Sequence, residues 1–190
     1  MTRYEFLLIL HVIAVIVWLG AGVTMDLLFL RAGRTRNPAE IGKTGELQEW
    51  LVPRVFIPSG LLTLVLGVLL VLDGPWSFGD LWILIGLAAW IGSFGVGFLF
   101  IRPQGEKMKE IVARHGPTSV EAHRHGQRLG VVARVQLLAL FLVVVDMMLK
   151  PTSDDPWTLL VLGAILVAAA VVGTLSLRKV PGAAAAADSR

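Results

Sequence analysis

With 55% hydrophobic residues in a chain of 190 and a mean hydropathy of +0.74, the sequence holds more apolar surface than one water-soluble core can hide, which points to a polytopic membrane protein. The formal charge is +3 and the isoelectric point about 9.7, but the basic residues fall in short segments between apolar runs, where they set membrane orientation; no nucleic-acid partner is expected. The absence of cysteine excludes disulfides, thiolate metal sites and covalent c-type haem, leaving His, Met and carboxylates as candidate ligands.

Five apolar runs follow in chain order, at residues 6–30, 55–72, 81–101, 129–149 and 157–177. Each approaches or exceeds the roughly 20 residues that cross about 30 Å of hydrocarbon. The fold class expected is an all-α membrane protein, a bundle of five transmembrane helices in a single domain over 1–180, with a disordered tail at 181–190. The first segment is read as a retained helix: only Arg3 precedes it, basic residues follow it, and no small-residue cleavage site is evident.

Loop charges give the direction. The first loop carries Arg31, Arg34, Arg36, Lys43 and Arg54, and the third carries Arg102, Lys107, Lys109, Arg114, Arg124 and Arg128. The second has no Lys or Arg, the fourth has only Lys150, and Arg178, Lys179 and Arg190 follow the last run. The positive-inside rule then predicts the N-terminus outside and the C-terminus cytoplasmic. Tyr4, Trp76, Trp82 and Trp157 cluster at the predicted outer boundary and Trp50 lies at the inner one, as amphipathic rings prefer headgroup depth.

Between the runs, Asn37-Pro38 and Gly42 predict a turn before a short interfacial helix over residues 44–50, which a solvated connector would also explain. Residues 104–114 predict a cytoplasmic extension of the third helix, stopped by Gly116-Pro117. Pro58 with Ser59 and Gly60 predicts a loosened or kinked start to the second span. The small-residue rows Ala89, Ser93, Gly97 and Ala169, Gly173 predict close helix packing. No inverted repeat is visible, and five spans do not divide into equal halves.

Candidate site residues are the polar groups inside the runs. His11, Val15, Trp18, Gly22 and Asp26 follow steps of four, three, four and four, one face of the first helix, which therefore looks at protein. The antiparallel fourth span carries Arg134 and Asp146, at depths that match Asp26 and His11 respectively. Because Arg134 and Asp146 are about 120° apart around their helix, both pairs form only if the helices cross or a third contributes. The buried polar network of Asp26, Arg134, Asp146 and Trp18 reads either as a structural ion pair fixing register or as a proton or ion relay. His11 is either a satisfied neutral imidazole or a ligand for haem b or copper, with Met147 and Met148 at similar depth as further metal ligands. His115, His123 and His125 are read as solvated loop histidines; the His-x-His spacing does not place two rings on one helical face.

The stretches LHVIAVIVWLGAGV at 10–23, VPRVFIPSGLLTLVLG at 52–67, DLWILIGL from Asp80 and DMMLKP at 146–151 together resemble an uncharacterised bacterial family of predicted integral membrane proteins of the DUF2269 type. That family is distantly similar to the CopD copper-resistance proteins and the HemJ-type protoporphyrinogen oxidases. The HemJ likeness implies a functional first-span histidine, matched by His11, and a third-span lysine, which is missing here. The CopD likeness implies copper handling through His11, Met147 and Met148.

The leading expectation is a non-enzymatic membrane protein that binds a metal or haem through His11, with no catalytic residue assigned. A haem would need Met, water or a second subunit opposite His11, the lone histidine in the spans, which leaves a homo-oligomer open. The rivals are a HemJ-type enzyme, a small transporter or proton-relay protein using Asp26, Arg134 and Asp146, and a structural or assembly subunit. The partner common to all is the lipid bilayer.

Overall fold

A computed structural model of the protein describes residues 1–35 and 37–178; the tail expected to be disordered, together with Arg36, Lys179 and Arg190, lies outside them. The described residues form seven α-helices and no strand: α1 (Arg3–Thr35), α2 (Pro38–Leu51), α3 (Ile57–Asp73), α4 (Leu81–Val96), α5 (Arg102–His115), α6 (Val120–Leu149) and α7 (Pro156–Arg178). α2 runs into α3, and α4 into α5, through single widened turns, so the described residues hold five rods long and apolar enough to cross a membrane.

Local chemistry explains the ends. Thr2 and Glu5 cap α1 reciprocally, each side chain accepting the other's backbone N–H, at 3.1 and 2.8 Å. Asn37 accepts the Ala39 N–H at 3.0 Å with Pro38 in the first turn, so the helix expected over 44–50 begins six residues earlier. Ser119 caps α6 through the Ala122 N–H, and Gly116, at φ +83°, supplies the left-handed residue that stops α5.

The loosening expected near Pro58 takes a specific form. The ring of Pro58 would strike the Arg54 carbonyl in a regular helix. Residues Val52–Phe56 widen instead into a π turn, closed by the Ile57 N–H on the Val52 carbonyl. Gly97–Ile101 do the same ahead of Pro103, closed by the Arg102 N–H on the Gly97 carbonyl. The rods therefore continue past each proline.

Packing centres on α1 and α6. α1 lies most extensively against α3 and also touches α2 and α6, while α6 packs on α4, α5 and α7. α3 and α4, although successive in the chain, are joined through side chains: Trp18 of α1, Phe56 of the turn before α3, and Trp90 and Phe94 of α4 form an aromatic layer, and the Trp90 indole donates to the Gly60 carbonyl of α3 at 2.8 Å. A Cβ at Gly60 would stand 2.9 Å from the Phe94 ring and 3.0 Å from Trp18, so only glycine fits that approach.

α7 is different. It packs mainly on α6, with Gly173 receiving the Val131 side chain, and no residue of its apolar window is buried. Exposed Ile13, Ile16, Leu62, Val65, Ile91, Leu160 and Val161 coat the rods, an apolar exterior suited to lipid and not to water. Two ends follow from the topology: a tryptophan end, with Tyr4, Trp76, Trp82 and Lys150, and a basic end, where α2 and α5 lie.

Candidate functional site

The polar face of α1 does not look at one neighbour. Its residues drift by about 60° from His11 to Asp26, and the helices it meets change accordingly. His11 lies against α3, beside Thr63 and with its ring 3.2 Å from where a Gly67 Cβ would be. Trp18 enters the aromatic layer. Gly22 receives Leu137 of α6, and Asp26 reaches Arg134 on the same helix.

The Asp26–Arg134 contact is a single bond, Nε to Oδ1 at 3.1 Å, with the carboxylate 18% and the guanidinium side chain 46% exposed. The arginine folds back over Gly130, its Nη2 3.0 Å from that residue's would-be Cβ, which carries the remaining donors toward the basic end as a snorkelling side chain does.

Asp146 has the opposite surroundings. It is 1% exposed, three residues before the end of α6, and among the described residues neither carboxylate oxygen has a hydrogen-bond partner. His11 does not supply one, because His11 is turned to α3 and its own Nδ1 is buried and unpartnered. Trp18 Nε1 is likewise buried without an acceptor.

His11, Met147 and Met148 are not gathered into a ligand set. The Met147 methyl occupies the notch left by Gly86 on α4, and Met148 is 79% exposed on the outer surface. Among the described residues no group of three or more His, Cys, Asp or Glu side chains is placed to hold a metal ion. The histidines expected in a solvated loop lie on helices, His115 ending α5 and His123 and His125 in the first turns of α6: His125 bonds the Gln104 carbonyl at 2.9 Å, His123 bonds Gln127 at 3.1 Å, and His115 meets Glu121 at 3.3 Å.

Two features escaped the sequence reasoning. Gln136 donates to the hydroxyl and carbonyl of Ser93 at 2.8 and 3.2 Å, joining α6 to α4 inside the apolar layer; a glutamine within the fourth run was the available signal. At the basic end Lys109 bridges Glu49 at 2.7 Å and Glu106 at 3.2 Å. These two hydrogen bonds hold its ammonium above the usual lysine value, and the one to Glu49 links α5 to α2. An apolar groove of about 390 Å³, lined by Leu142, Val145, Trp157 and Val161 among others, opens between α6 and α7, and its lining includes none of the polar groups above.

No curated protein and no solved structure matches the chain, so nothing there bears on the likeness to CopD- and HemJ-type proteins. One family model, described as a predicted integral membrane protein (DUF2269), matches residues 5–151, which takes in α1 through α6 and stops before α7. Most of the chain, with His11, Trp18, Asp26, Arg134 and Asp146, lies inside that match: the protein belongs to the DUF2269 family of predicted integral membrane proteins.

Proposed function

We propose that the protein is a small proton-relay or transport protein of a bacterial cytoplasmic membrane, with its N-terminus outside, and that Asp146 takes up and releases the transported proton. The observation that carries this reading is the buried Asp146 carboxyl with no partner on either oxygen. A bare charge there costs about 2.5–3.5 kcal/mol on insertion scales at mid-membrane, less toward a helix end. A proton is the smallest species that relieves the cost, and a metal ion would need ligands that are not gathered around it. Asp26 and Arg134 stand at the opposite end of the same helix pair.

The test is proton flux into vesicles loaded with a pH-sensitive dye. Asp146→Asn is expected to lower flux at least tenfold and Asp26→Asn to lower it as well. Flux unchanged in a properly inserted Asp146→Asn protein would sink the reading.

Binding of haem b or copper is favoured by one observation, the buried and unpartnered Nδ1 of His11. The surroundings do not fit it: the ring is closed in by Gly67, Met147 fills Gly86 and Met148 faces outward. An absorption spectrum with metal analysis, wild type beside His11→Ala, decides it; a Soret band or stoichiometric copper lost in the variant would restore the cofactor reading.

A further inference from the structure

At the tryptophan end, residues from separate segments close on one point. The Trp76 and Trp82 rings stand edge to face, with centroids 5.2 Å apart and planes at 88°. The Tyr4 hydroxyl accepts the Trp76 indole N–H at 3.0 Å, which steadies that ring from α1. Lys150 Nζ lies over both, 4.7 Å from the Trp76 centroid and 5.8 Å from that of Trp82. Perpendicular aromatic faces around one ammonium make the kind of cage that recognises alkylated ammonium groups. Here the ammonium belongs to the chain itself.

Lys150 is held with φ 48° and ψ 56°, the left-handed conformation that L side chains rarely adopt. Its N–H closes α6 on the Asp146 carbonyl at 2.7 Å, and the fully buried Pro151 follows. The backbone is thus fixed while the side chain is exposed and the two rings only partly covered. Removing the ammonium from the rings needs rotamer changes alone. Glu5, Asp73, Asp80, Asp154 and Asp155 share this end with Arg3 and Lys150, an acidic excess that draws cations.

We propose that Trp76 and Trp82, steadied by Tyr4, form a binding site for alkylammonium groups, and that Lys150 is its built-in occupant. The inference is independent of the proton reading. A lipid amine headgroup and a free quaternary amine share the required chemistry. An external ligand sees the cage only in molecules whose lysine has swung out, so its apparent affinity is reduced by that fraction.

The experiment is calorimetric titration of the full chain in detergent with tetramethylammonium chloride, against sodium chloride at matched ionic strength. Lys150→Gly keeps the left-handed turn without strain and is expected to bind about tenfold more tightly than wild type. Adding Trp82→Leu is expected to abolish binding. A Lys150→Gly protein that elutes as one folded species and gives no specific heat overturns the site, and equal affinity in wild type and Lys150→Gly overturns the role of Lys150. In nanodiscs, binding of the probe suppressed by phosphatidylcholine but not by phosphatidylglycerol assigns the site to lipid headgroups; binding equal in both assigns it to free amines.

Discussion

The two ends of α6 solve the same problem in opposite ways. Arg134 is half-exposed, reaches toward the basic end and shares its charge with Asp26 across a 3.1 Å contact. Asp146 is buried and has nothing to share with. A paired ion in a helical bundle is explained by the register it fixes, whereas an unpartnered one destabilises the fold and calls for another reason to be there. The difference separates a staple from a candidate working group on one helix.

Replacing each carboxylate by an apolar side chain gives the sharpest contrast. Asp146→Leu removes an unsatisfied buried group and is expected to raise stability by about 1–3 kcal/mol, while losing proton flux. Asp26→Leu strands Arg134 and is expected to lower stability; both shifts are read as thermal midpoints in detergent. If the two variants shift in the same direction, the contrast between the ends is broken.

The strength of the staple follows from a double-mutant cycle with Asp26→Asn and Arg134→Gln, with a coupling of roughly 0.5–1 kcal/mol expected because the guanidinium is half-exposed. Ser93→Ala, which removes the hydroxyl that accepts from Gln136, is expected to cost about 0.6 kcal/mol, the average for such bonds between membrane helices. The smallest effect belongs to Lys109. Its ammonium is held above the ordinary value by Glu49 and Glu106, so its contribution is fully present below pH 10.5 and is lost as pH rises through the raised value. Lys109→Met is expected to leave the thermal midpoint nearly unchanged at pH 7 and to flatten its decline in the alkaline range.

The rods and the Asp26–Arg134 contact were legible because hydropathy, helical spacing and depth act along one segment at a time. Neighbour choice was not. His11 faces α3 instead of Asp146, because how closely α1 meets each neighbour depends on contacts from several helices at once, such as Gly60 and Gly67 of α3 and Leu137 of α6. Met147 looked like a ligand beside Met148, yet one fills a glycine notch and the other faces outward, as adjacent residues about 100° apart must diverge. Pro58 signalled a loosened or kinked start to the second span, and residues 104–114 an extension of the third; the widened turns ahead of Pro58 and of Pro103 are the form the chain takes there.

That continuity has a mechanical consequence. α2 with α3, and α4 with α5, are single shafts, each with one widened turn as its joint near the basic end, and the Lys109–Glu49 bridge couples their arms at that end. Force applied to those arms is not absorbed by a slack loop. It arrives at the joints as torque, and the first groups to feel it on the far side are Ser59, Gly60 and the rings packed upon them.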